Sequence, residues 1–291
     1  IDFDLATAEN ADLIVCIVMN WISTKMPDAH WLTEARLKGT KIVTIAPEYQ
    51  STSNKADRVI LARHGTDTAF ALGMVNVIIK ENLYDEKFVK GHTDLPLLVR
   101  ADTLKLLKPT EVIAGYKNAV LANTVLLKEG EKPPSAYKQD KQIVAEKLRE
   151  EWGDFMAWDA AAGGPVVVTR DDAAKAGAYS LEGRFKVKLL DGTSVEVRPV
   201  FDLVKEQASH YTPEATADIC HSSAENVTWL AREIAKNRGK SLIVYGMGPN
   251  HFFNNDLKDR AGFLLCSLTG NIGTHGGNIG SYAGNYRGAY F

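Results

Sequence analysis

In the first third of the chain, apolar blocks have the lengths of buried strands and helices. Residues 12–19 and Lys41–Ala46 are nearly continuous apolar runs, typical of strands buried on both faces of a parallel sheet. A shorter strand is predicted at Arg58–Leu61, and helices are predicted at about 28–38 and 67–81. This order of elements predicts an α/β fold with doubly wound, mostly parallel sheets and helices on both faces.

The middle of the chain has a weaker pattern, and its clearest element is a β-hairpin. Residues 185–200 alternate apolar and polar positions around Asp191-Gly192, a dipeptide that favours a tight turn. Helices are predicted at 202–208, Pro213–Cys220 and Ala224–Lys236, with Thr212 and Ser223 as N-caps of the last two. We therefore predict two related α/β units, 1–100 and a truncated 201–291, separated by an irregular insert, 101–200.

The last fifth of the chain is rich in glycine. A strand at Ser241–Tyr245 leads into the turn GMGPNH, then a predicted helix at 254–266, then a glycine-dense stretch from 269 to 284. Glycine removes the Cβ from a contact and allows positive φ, so this density predicts backbone that lies against a large, phosphate-bearing ligand. The loops NWIST, PEYQSTSN, RHGTD and GMGPNH all follow strands, and ligands of doubly wound folds bind at that carboxyl edge of the sheet.

Single residues in these loops allow more than one interpretation. Glu48 can bind a ribose diol or a guanine edge, although a solvated loop carboxylate is the simpler explanation. Residues 65–67 are explained by a helix start with its own cap, but free helix N–H groups and a carboxylate would also suit a purine base and a phosphate. Trp21 is unusual because it follows Asn20 in a predicted loop, where a core residue is not expected.

Composition and charge exclude several function classes. The 291 residues are 45% hydrophobic and 24% charged, which is ordinary for a soluble globular protein. A net charge of −2 gives no basic field for nucleic acid, and no apolar run is long enough to span a bilayer directly. The three cysteines form no C-x-x-C pair, so neither a zinc site nor an iron–sulfur cluster is predicted, and no metal ligand is assigned.

The GMGPNH turn does not complete a nicotinamide-binding fingerprint, because His251 stands where the third glycine is needed. An NAD-dependent dehydrogenase is therefore disfavoured, while a nucleotide-binding module without catalysis stays open. From its residues alone, the sequence predicts an α/β protein with an elongated, phosphate-containing ligand at the carboxyl edges of its strands.

Several motifs together resemble a known family. MPDAHWLTEARLKGTKIVTIAPEYQSTSNKADRVILARHGTDTAFALGM, VFDLVKEQASHYTPEATADI, GMGPNHFFNND and SLTGNIGTHGGNIG are similar, in this order, to molybdopterin oxidoreductases of the DMSO reductase family, nitrate reductase branch. NWISTKMPDAHW combined with PEYQSTSNKAD is most similar to nitrite oxidoreductase alpha subunits of the Nitrospira and anammox type. The resemblance covers nearly the whole chain except about 100–195.

The resemblance implies roles for matching residues. Asn20 is expected to face the pterin, Glu48 and Asp67 to recognise the guanosine end of a dinucleotide, and His251 to line the substrate pocket. The implied cofactor-binding residues are Asn20, Trp21, Glu48, Gly65, Thr66, Asp67, Gly246, Gly248, Asn250, Thr269, Gly270, Asn271 and Gly273.

The resemblance also implies an activity and a cofactor. It implies a bis(molybdopterin guanine dinucleotide) cofactor with molybdenum, and oxidation of nitrite to nitrate by oxygen-atom transfer. A respiratory nitrate reductase or a chlorate or perchlorate reductase is the alternative, because nitrite and nitrate share one active site in both directions. The molybdenum ligand, the iron–sulfur region and a C-terminal domain are expected outside this chain, so we expect it to be an internal fragment that is inactive alone.

The implied partners are an iron–sulfur beta subunit and a membrane or haem gamma subunit. Through them the complex is expected to be associated with the membrane on its periplasmic side, the cytoplasmic face being the alternative.

Overall fold

The computed structural model describes residues 5–122, 124–132, 142–169, 177–253 and 255–281. Contacts divide the chain into two compact units, residues 1–88 with 205–291, and residues 89–204. In chain order the elements are β1 (Leu13–Ile17), α1 (Trp21–Thr24), α2 (Ala29–Leu37), β2 (Lys41–Ala46), β3 (Arg58–Leu61), α3 (Asp67–Lys80), α4 (Glu86–His92), β4 (Leu98–Arg100), β5 (Thr124–Leu127), β6 (Gln142–Ala145), α5 (Glu146–Trp152), β7 (Phe155–Asp159), β8 (Gly164–Val168), β9 (Phe185–Lys188), β10 (Ser194–Pro199), α6 (Val200–Ala208), α7 (Pro213–Cys220), α8 (Ala224–Lys236), β11 (Ser241–Tyr245), α9 (Lys258–Leu268) and β12 (Asn278–Ser281).

The first unit is built on a five-stranded parallel sheet in the order β12-β11-β1-β2-β3. Leu13 of β1 pairs with Ser241 of β11 on one side and with Lys41 of β2 on the other. Strands of both predicted α/β units therefore belong to one sheet, and do not form two. The cause is physical: β1 and β11 are both buried at every position, so each needs a strand beside it. The predicted α/β class is confirmed.

Helices cover both faces of this sheet. Successive strand residues point to opposite faces, and Cys16 and Val244 pack with Leu32 of α2 on one of them. Tyr245 points to the other face, where Gly262 of α9 lies so close that a Cβ there would be 2.7 Å from the tyrosine ring. The predicted core helix is confirmed as α3, which packs with α7, α8 and α9.

Two predicted helix caps are confirmed. The Thr212 hydroxyl accepts a hydrogen bond from Ala215 N at 3.2 Å, and the Ser223 hydroxyl accepts one from Asn226 N at 3.1 Å. The helices that they start, α7 and α8, have the predicted bounds. The three cysteines are free and buried, and burial raises the pKa of the Cys16 thiol to about 12.

The second unit contains the predicted hairpin. β10 pairs with β9 in antiparallel fashion, and Gly192 in the connection has φ +89°. β4 joins the other side of β10, and the sheet packs on a core that includes Leu98, Met156 and Val197. The parallel β5–β6 pair and the β7–β8 hairpin were not predicted, because most residues of these short strands are only partly buried and carry no regular alternation.

Two elements near the C-terminus differ from the prediction. The helix expected at 254–266 starts later, because a 3₁₀ turn, Asn255–Leu257, precedes α9; residue 254 lies outside the described residues. Part of the glycine-dense stretch is the strand β12, which pairs with β11 through Ile279 and Ile243. Among the described residues, no helix is long and apolar enough to cross a membrane.

Candidate functional site

The order of the strands reverses at β1. The chain runs from β1 to β2 and β3 on one side, whereas β11 and β12 lie on the other. In open parallel sheets, ligands bind at such a switch point, outside the carboxyl ends of the strands. We refer to the segments that follow β1, β2, β3 and β11 (residues 18–25, which include the short helix α1, and residues 47–57, 62–66, 246–253 and 255–257) as the carboxyl-edge loops.

The two central loops meet through their backbones. Gly246 N donates to Ile17 O at 2.8 Å, and a Cβ on Gly246 would overlap the carbonyl oxygen of Val18. Val18 has φ +50°, a conformation that costs a β-branched residue on the order of 1–3 kcal/mol. The fold therefore requires glycine at 246 and holds strained backbone at the switch point.

Asn20 connects the first loop to the second. Its Oδ1 accepts from Thr52 N at 3.2 Å and from Thr52 Oγ1 at 3.0 Å. Ile22 N in turn donates to Thr52 Oγ1 at 3.1 Å. No described residue bonds to the Asn20 Nδ2 group, and the side chain is half-buried. The two loops are thus fixed to each other, with an amide donor left for a ligand.

The structure corrects the expectation for Trp21. Its side chain is fully buried in the cluster that contains Leu32, and its Nε1 donates to Asp28 O at 3.1 Å. It begins the short helix α1 and does not lie in a loop. A side chain with no exposed surface does not contact a ligand directly, so Trp21 anchors the loop that carries Asn20.

The second loop holds one predicted residue and one that was missed. Glu48 is exposed at the carboxyl end of β2, where its carboxylate can reach a ligand. Gln50 has a buried Nε2 with no hydrogen-bond partner in the described part of the chain. An unpaired buried donor is costly, so this atom indicates an acceptor that other residues or a ligand must provide. No sequence signal distinguishes Gln50 from its polar neighbours, because its burial arises only from the fold.

The third loop needs its glycine. Gly65 has φ +79°, and a Cβ there would lie 3.1 Å from Cβ of Phe252 in the loop after β11. Thr66 occupies the N-cap position of α3, but its hydroxyl donates to Arg63 O at 2.6 Å and caps nothing. The expected self-capped helix start is therefore wrong at Thr66.

Asp67 is less available to a ligand than expected. Asp67 is only 6% exposed, and its Oδ2 accepts a hydrogen bond from Asn255 Nδ2 at 2.7 Å. Burial raises the pKa of the Asp67 carboxyl, while the Asn255 hydrogen bond and the charge of Lys258 oppose that rise. In this conformation Asp67 holds another loop in place and does not present an open carboxylate to a purine.

The loop after β11 exposes its polar residues. Asn250 and His251 are exposed at the end of the 3₁₀ turn Gly248–His251. A Cβ on Gly248 would meet only Val18 Cγ1, at 3.7 Å, so the packing of the chain does not require glycine here. This open backbone can lie against a flat ligand.

Residues 269–277 of the glycine-dense stretch, in contrast, lie at the opposite edge of the sheet, before β12 begins. Asn271 Oδ1 accepts from Ser241 N at 3.1 Å, at the amino end of β11, and Asn271 Nδ2 donates to Thr269 Oγ1 at 2.7 Å. Thr274 Oγ1 donates to Gly239 O at 2.8 Å, also before β11. Thr269 and Asn271 are fully buried, so their side chains meet protein and not a ligand.

Contacts and φ angles within the chain explain the glycines of this segment. A Cβ on Gly276 would overlap the backbone of Asn10, which precedes β1. Gly270 (φ +64°) lies close to Asp85, and Gly273 has φ +79°. Positive φ or close packing within the chain therefore accounts for Gly270, Gly273 and Gly276. The predicted contact of Thr269, Gly270, Asn271 and Gly273 with the cofactor stays a prediction, and these contacts do not support it. Residue 284 lies outside the described residues.

The carboxyl-edge loops fit a large ligand with many hydrogen-bond acceptors. They offer neutral amide donors on Asn20, Gln50 and Asn250 and the imidazole of His251, beside the open backbone of Gly248. Neutral donors suit phosphate, pterin and purine acceptors alike. In the part of the chain that is described, no group of three or more His, Cys, Asp and Glu side chains is placed to hold a metal ion.

Comparison with known proteins finds similar chains among the alpha subunits of reductases and of a dehydrogenase. The chain is 38% identical to the perchlorate reductase subunit alpha of Dechloromonas aromatica, over 97% of this chain and 30% of that protein. It is 32% identical to the respiratory nitrate reductase subunit alpha of Haloferax mediterranei (94% and 26%) and 30% identical to the dimethylsulfide dehydrogenase subunit alpha of Rhodovulum sulfidophilum (92% and 26%). The chain spans less than a third of the length of each of these relatives. Residues 3–289 match the molybdopterin oxidoreductase family model, and the chain belongs to that family.

Proposed function

We propose that this chain is part of the catalytic subunit of a molybdenum oxidoreductase that oxidises nitrite to nitrate at a bis(molybdopterin guanine dinucleotide) centre. Membership of the molybdopterin oxidoreductase family supports the cofactor class. The resemblance of NWISTKMPDAHW and PEYQSTSNKAD to nitrite oxidoreductases supports the substrate. The observation that carries the proposal is the group of unsatisfied or exposed neutral donors on loops beside the switch point.

The residues of these loops would hold and orient the cofactor. Asn20 Nδ2 and Gln50 Nε2 would donate to acceptors of the pterin or the phosphates, and the backbone at Gly248 would lie along the ligand. Exposed Glu48 would accept from the guanosine. When bound, molybdenum supplies two-electron chemistry and transfer of an oxygen atom derived from water to nitrite.

His251 would bind the substrate. Its imidazole is exposed on the loop after β11, where an N–H donor can orient an oxyanion such as nitrite or nitrate. An imidazole N–H, in the neutral or the protonated ring, can replace part of the hydration that the anion loses on binding.

A second candidate is a reductase of perchlorate, chlorate or nitrate. The 38% identity to a perchlorate reductase subunit favours it. The same neutral donors would serve these oxyanions, because all present oxygen acceptors. The two candidates differ in the direction of electron flow and in substrate size.

Relatives named as alpha subunits support a multi-subunit enzyme. We propose an iron–sulfur beta subunit and a membrane or haem gamma subunit as partners, with the complex on the periplasmic side of the membrane. An iron–sulfur cluster would lie in the parent catalytic subunit outside these residues.

The full-length catalytic subunit with its partners tests the proposal. Mass spectrometry of the released cofactor should show guanine-bearing pterin, and nitrite should reduce an artificial electron acceptor. Reduction of nitrate or perchlorate without any nitrite oxidation would replace the proposal with the second candidate. NAD or a simple nucleotide in place of pterin would contradict both.

A matched pair of histidine variants tests the site. His251→Ala should raise the KM for nitrite by about tenfold or more, since an interaction with an anion is lost. His275→Ala is the control, because His275 is also exposed but belongs to the segment at the amino edge of the sheet. Equal effects of the two substitutions would contradict the assignment of His251.

A further inference from the structure

Asn255 is fully buried, and its amide group has every hydrogen-bonding position occupied. Oδ1 accepts from Thr68 N at 3.1 Å and from Thr68 Oγ1 at 3.0 Å. Nδ2 donates to Asp67 Oδ2 at 2.7 Å and to Pro249 O at 3.2 Å. A primary amide has two donor hydrogens and two acceptor lone pairs, so this side chain is satisfied by two segments that are distant in sequence.

One of these segments is the start of α3. The first N–H groups of a helix have no partner within the helix, and an N-cap side chain usually accepts from one of them. The N-cap residue of α3, Thr66, makes no such bond. Asn255 accepts from Thr68 N instead, from 187 residues further along the chain. The start of α3 is therefore capped by the loop that follows β11.

The other segment is the turn that carries the proposed substrate-binding residues. Pro249, whose carbonyl accepts from Asn255, directly precedes Asn250 and His251. Asn255 N also donates to Phe252 O at 3.1 Å and closes the turn behind them. The same amide therefore fixes this turn relative to the loop before α3.

We propose that Asn255 is a positioning residue that locks the turn Gly248–His251 onto the start of α3, so that the loops after β3 and β11 form one binding surface. Asn255 acts through these loops and touches neither cofactor nor substrate. The inference rests on the proposed function, because it concerns the placement of His251 and Asn250 in the same site.

The pairing of Asn255 with Asp67 provides a specific test. Asn255→Asp places a second carboxylate against Asp67 and removes both Nδ2 donors. The titratable groups near Asp67 are Lys258 and His64, which favour its charge, and Cys220 and Tyr245, whose own ionisation it opposes. Asn255→Asp combined with Asp67→Asn exchanges the two partners, so Thr68 keeps its acceptor and the pair keeps one amide donor.

Hydrogen–deuterium exchange of the full-length catalytic subunit, prepared without cofactor, measures how firmly Asn255 holds the turn Gly248–His251 on the start of α3. Asn255→Ala and Asn255→Asp should speed exchange of the amides in 246–253 and in the first turn of α3 by about tenfold or more, because one lost buried hydrogen bond is worth roughly that factor. The double variant Asn255→Asp with Asp67→Asn should recover a large part of the protection of these amides against exchange. Asn76→Ala is the control. Asn76 is a buried asparagine of α3, and its Nδ2 donates to Ala208 O at 3.0 Å, not to the loop after β11.

The full-length enzyme then measures the consequence for binding. Asn255→Asp should raise the KM for nitrite more than it lowers kcat, and this effect should weaken at lower pH, where the carboxylate pair takes up a proton. The double variant Asn255→Asp with Asp67→Asn should restore the KM for nitrite. If Asn255→Asp acted only by unfolding the protein, a second substitution at Asp67 would not restore it. Unchanged exchange at 246–253 in the Asn255 variants, or the same change in Asn76→Ala, would overturn the inference. A wild-type enzyme without guanine-bearing pterin would overturn the proposed function and leave the exchange result in place.

Discussion

The segments at the amino ends and at the carboxyl ends of the strands of the five-stranded sheet (the amino edge and the carboxyl edge) both contain glycine and asparagine. These residues have different surroundings at the two edges. At the amino edge, Asn271 is fully buried and Gly276 packs against the backbone of Asn10. At the carboxyl edge, Asn250 is exposed, and Gly248 has open space where a Cβ would be. The amino edge is thus closed by its own chain, while the carboxyl edge presents groups that the described residues leave unused.

This difference shows what glycine density means in such a fold. Glycine is required wherever backbone meets backbone or φ is positive, and both conditions hold at the amino edge. A ligand surface is indicated by the opposite observation, a glycine that its own fold does not need. Gly248 meets this condition, and Gly276 does not.

The largest effect is expected for Gly276→Ala. The new Cβ would overlap the Asn10 backbone, and φ +86° disfavours alanine in addition. Overpacking against rigid backbone should lower the free energy of unfolding by on the order of 3 kcal/mol. Urea unfolding of the chain measures this loss, and a stability within experimental error of the wild type would show that the amino edge is not packed as described.

A smaller loss of stability is expected for Asn271→Ala. It leaves the buried Ser241 N without its acceptor and removes the donor to Thr269 Oγ1, which keeps its own bond to Leu265 O. The loss should cost roughly 1–3 kcal/mol in the same unfolding experiment. Loss of dinucleotide from the full-length enzyme without loss of stability would make the amino edge a binding surface and break the comparison.

At the carboxyl edge, Asp67→Asn should change the pH dependence of stability. Burial raises the pKa of Asp67, so the folded state holds this proton more tightly than the unfolded state does. Its contribution to stability is fully present below the unfolded pKa of about 3.9 and is lost as the pH rises through the folded pKa. Asparagine cannot ionise, so the variant should gain stability relative to the wild type as the pH rises through this window.

Unfolding by urea at several pH values measures the difference between Asp67→Asn and the wild type. A difference that is the same at every pH, or that shrinks as the pH rises, would contradict the assignment.

The smallest effect on stability is expected for Gly248→Ala, within about 0.5 kcal/mol, because a Cβ there meets only Val18 Cγ1. In the full-length enzyme the same methyl group should lower the content of guanine dinucleotide, since it would stand between backbone and ligand. A normal dinucleotide content would remove Gly248 from the proposed site.

Much of the fold could be predicted from the sequence because its signals are local. The buried runs of β1 and β2, and the caps Thr212 and Ser223, depend on a few neighbouring residues. The joining of β11 to β1 could not be predicted, because it depends on pairing across more than two hundred residues, as the register of Leu13 with Ser241 shows.

The candidate site was predictable only in part, for the same reason. Loops that follow strands indicate the carboxyl edge, and the family resemblance then implied roles for Asn20, Glu48 and His251 in these loops. Burial and long-range hydrogen bonds could not be read from the chain, so Trp21 was expected in a loop, and Gln50 and Asn255 were missed. Each of these three residues is explained by what the fold places beside it.

Hydrogen–deuterium exchange of the full-length catalytic subunit, with and without its cofactor, tests the central claim most directly. The claim is that the cofactor binds the carboxyl-edge loops. Binding should slow exchange in residues 18–25 and 246–253 and leave residues 269–277 unchanged. Protection of 269–277 without protection of the carboxyl-edge loops would contradict it.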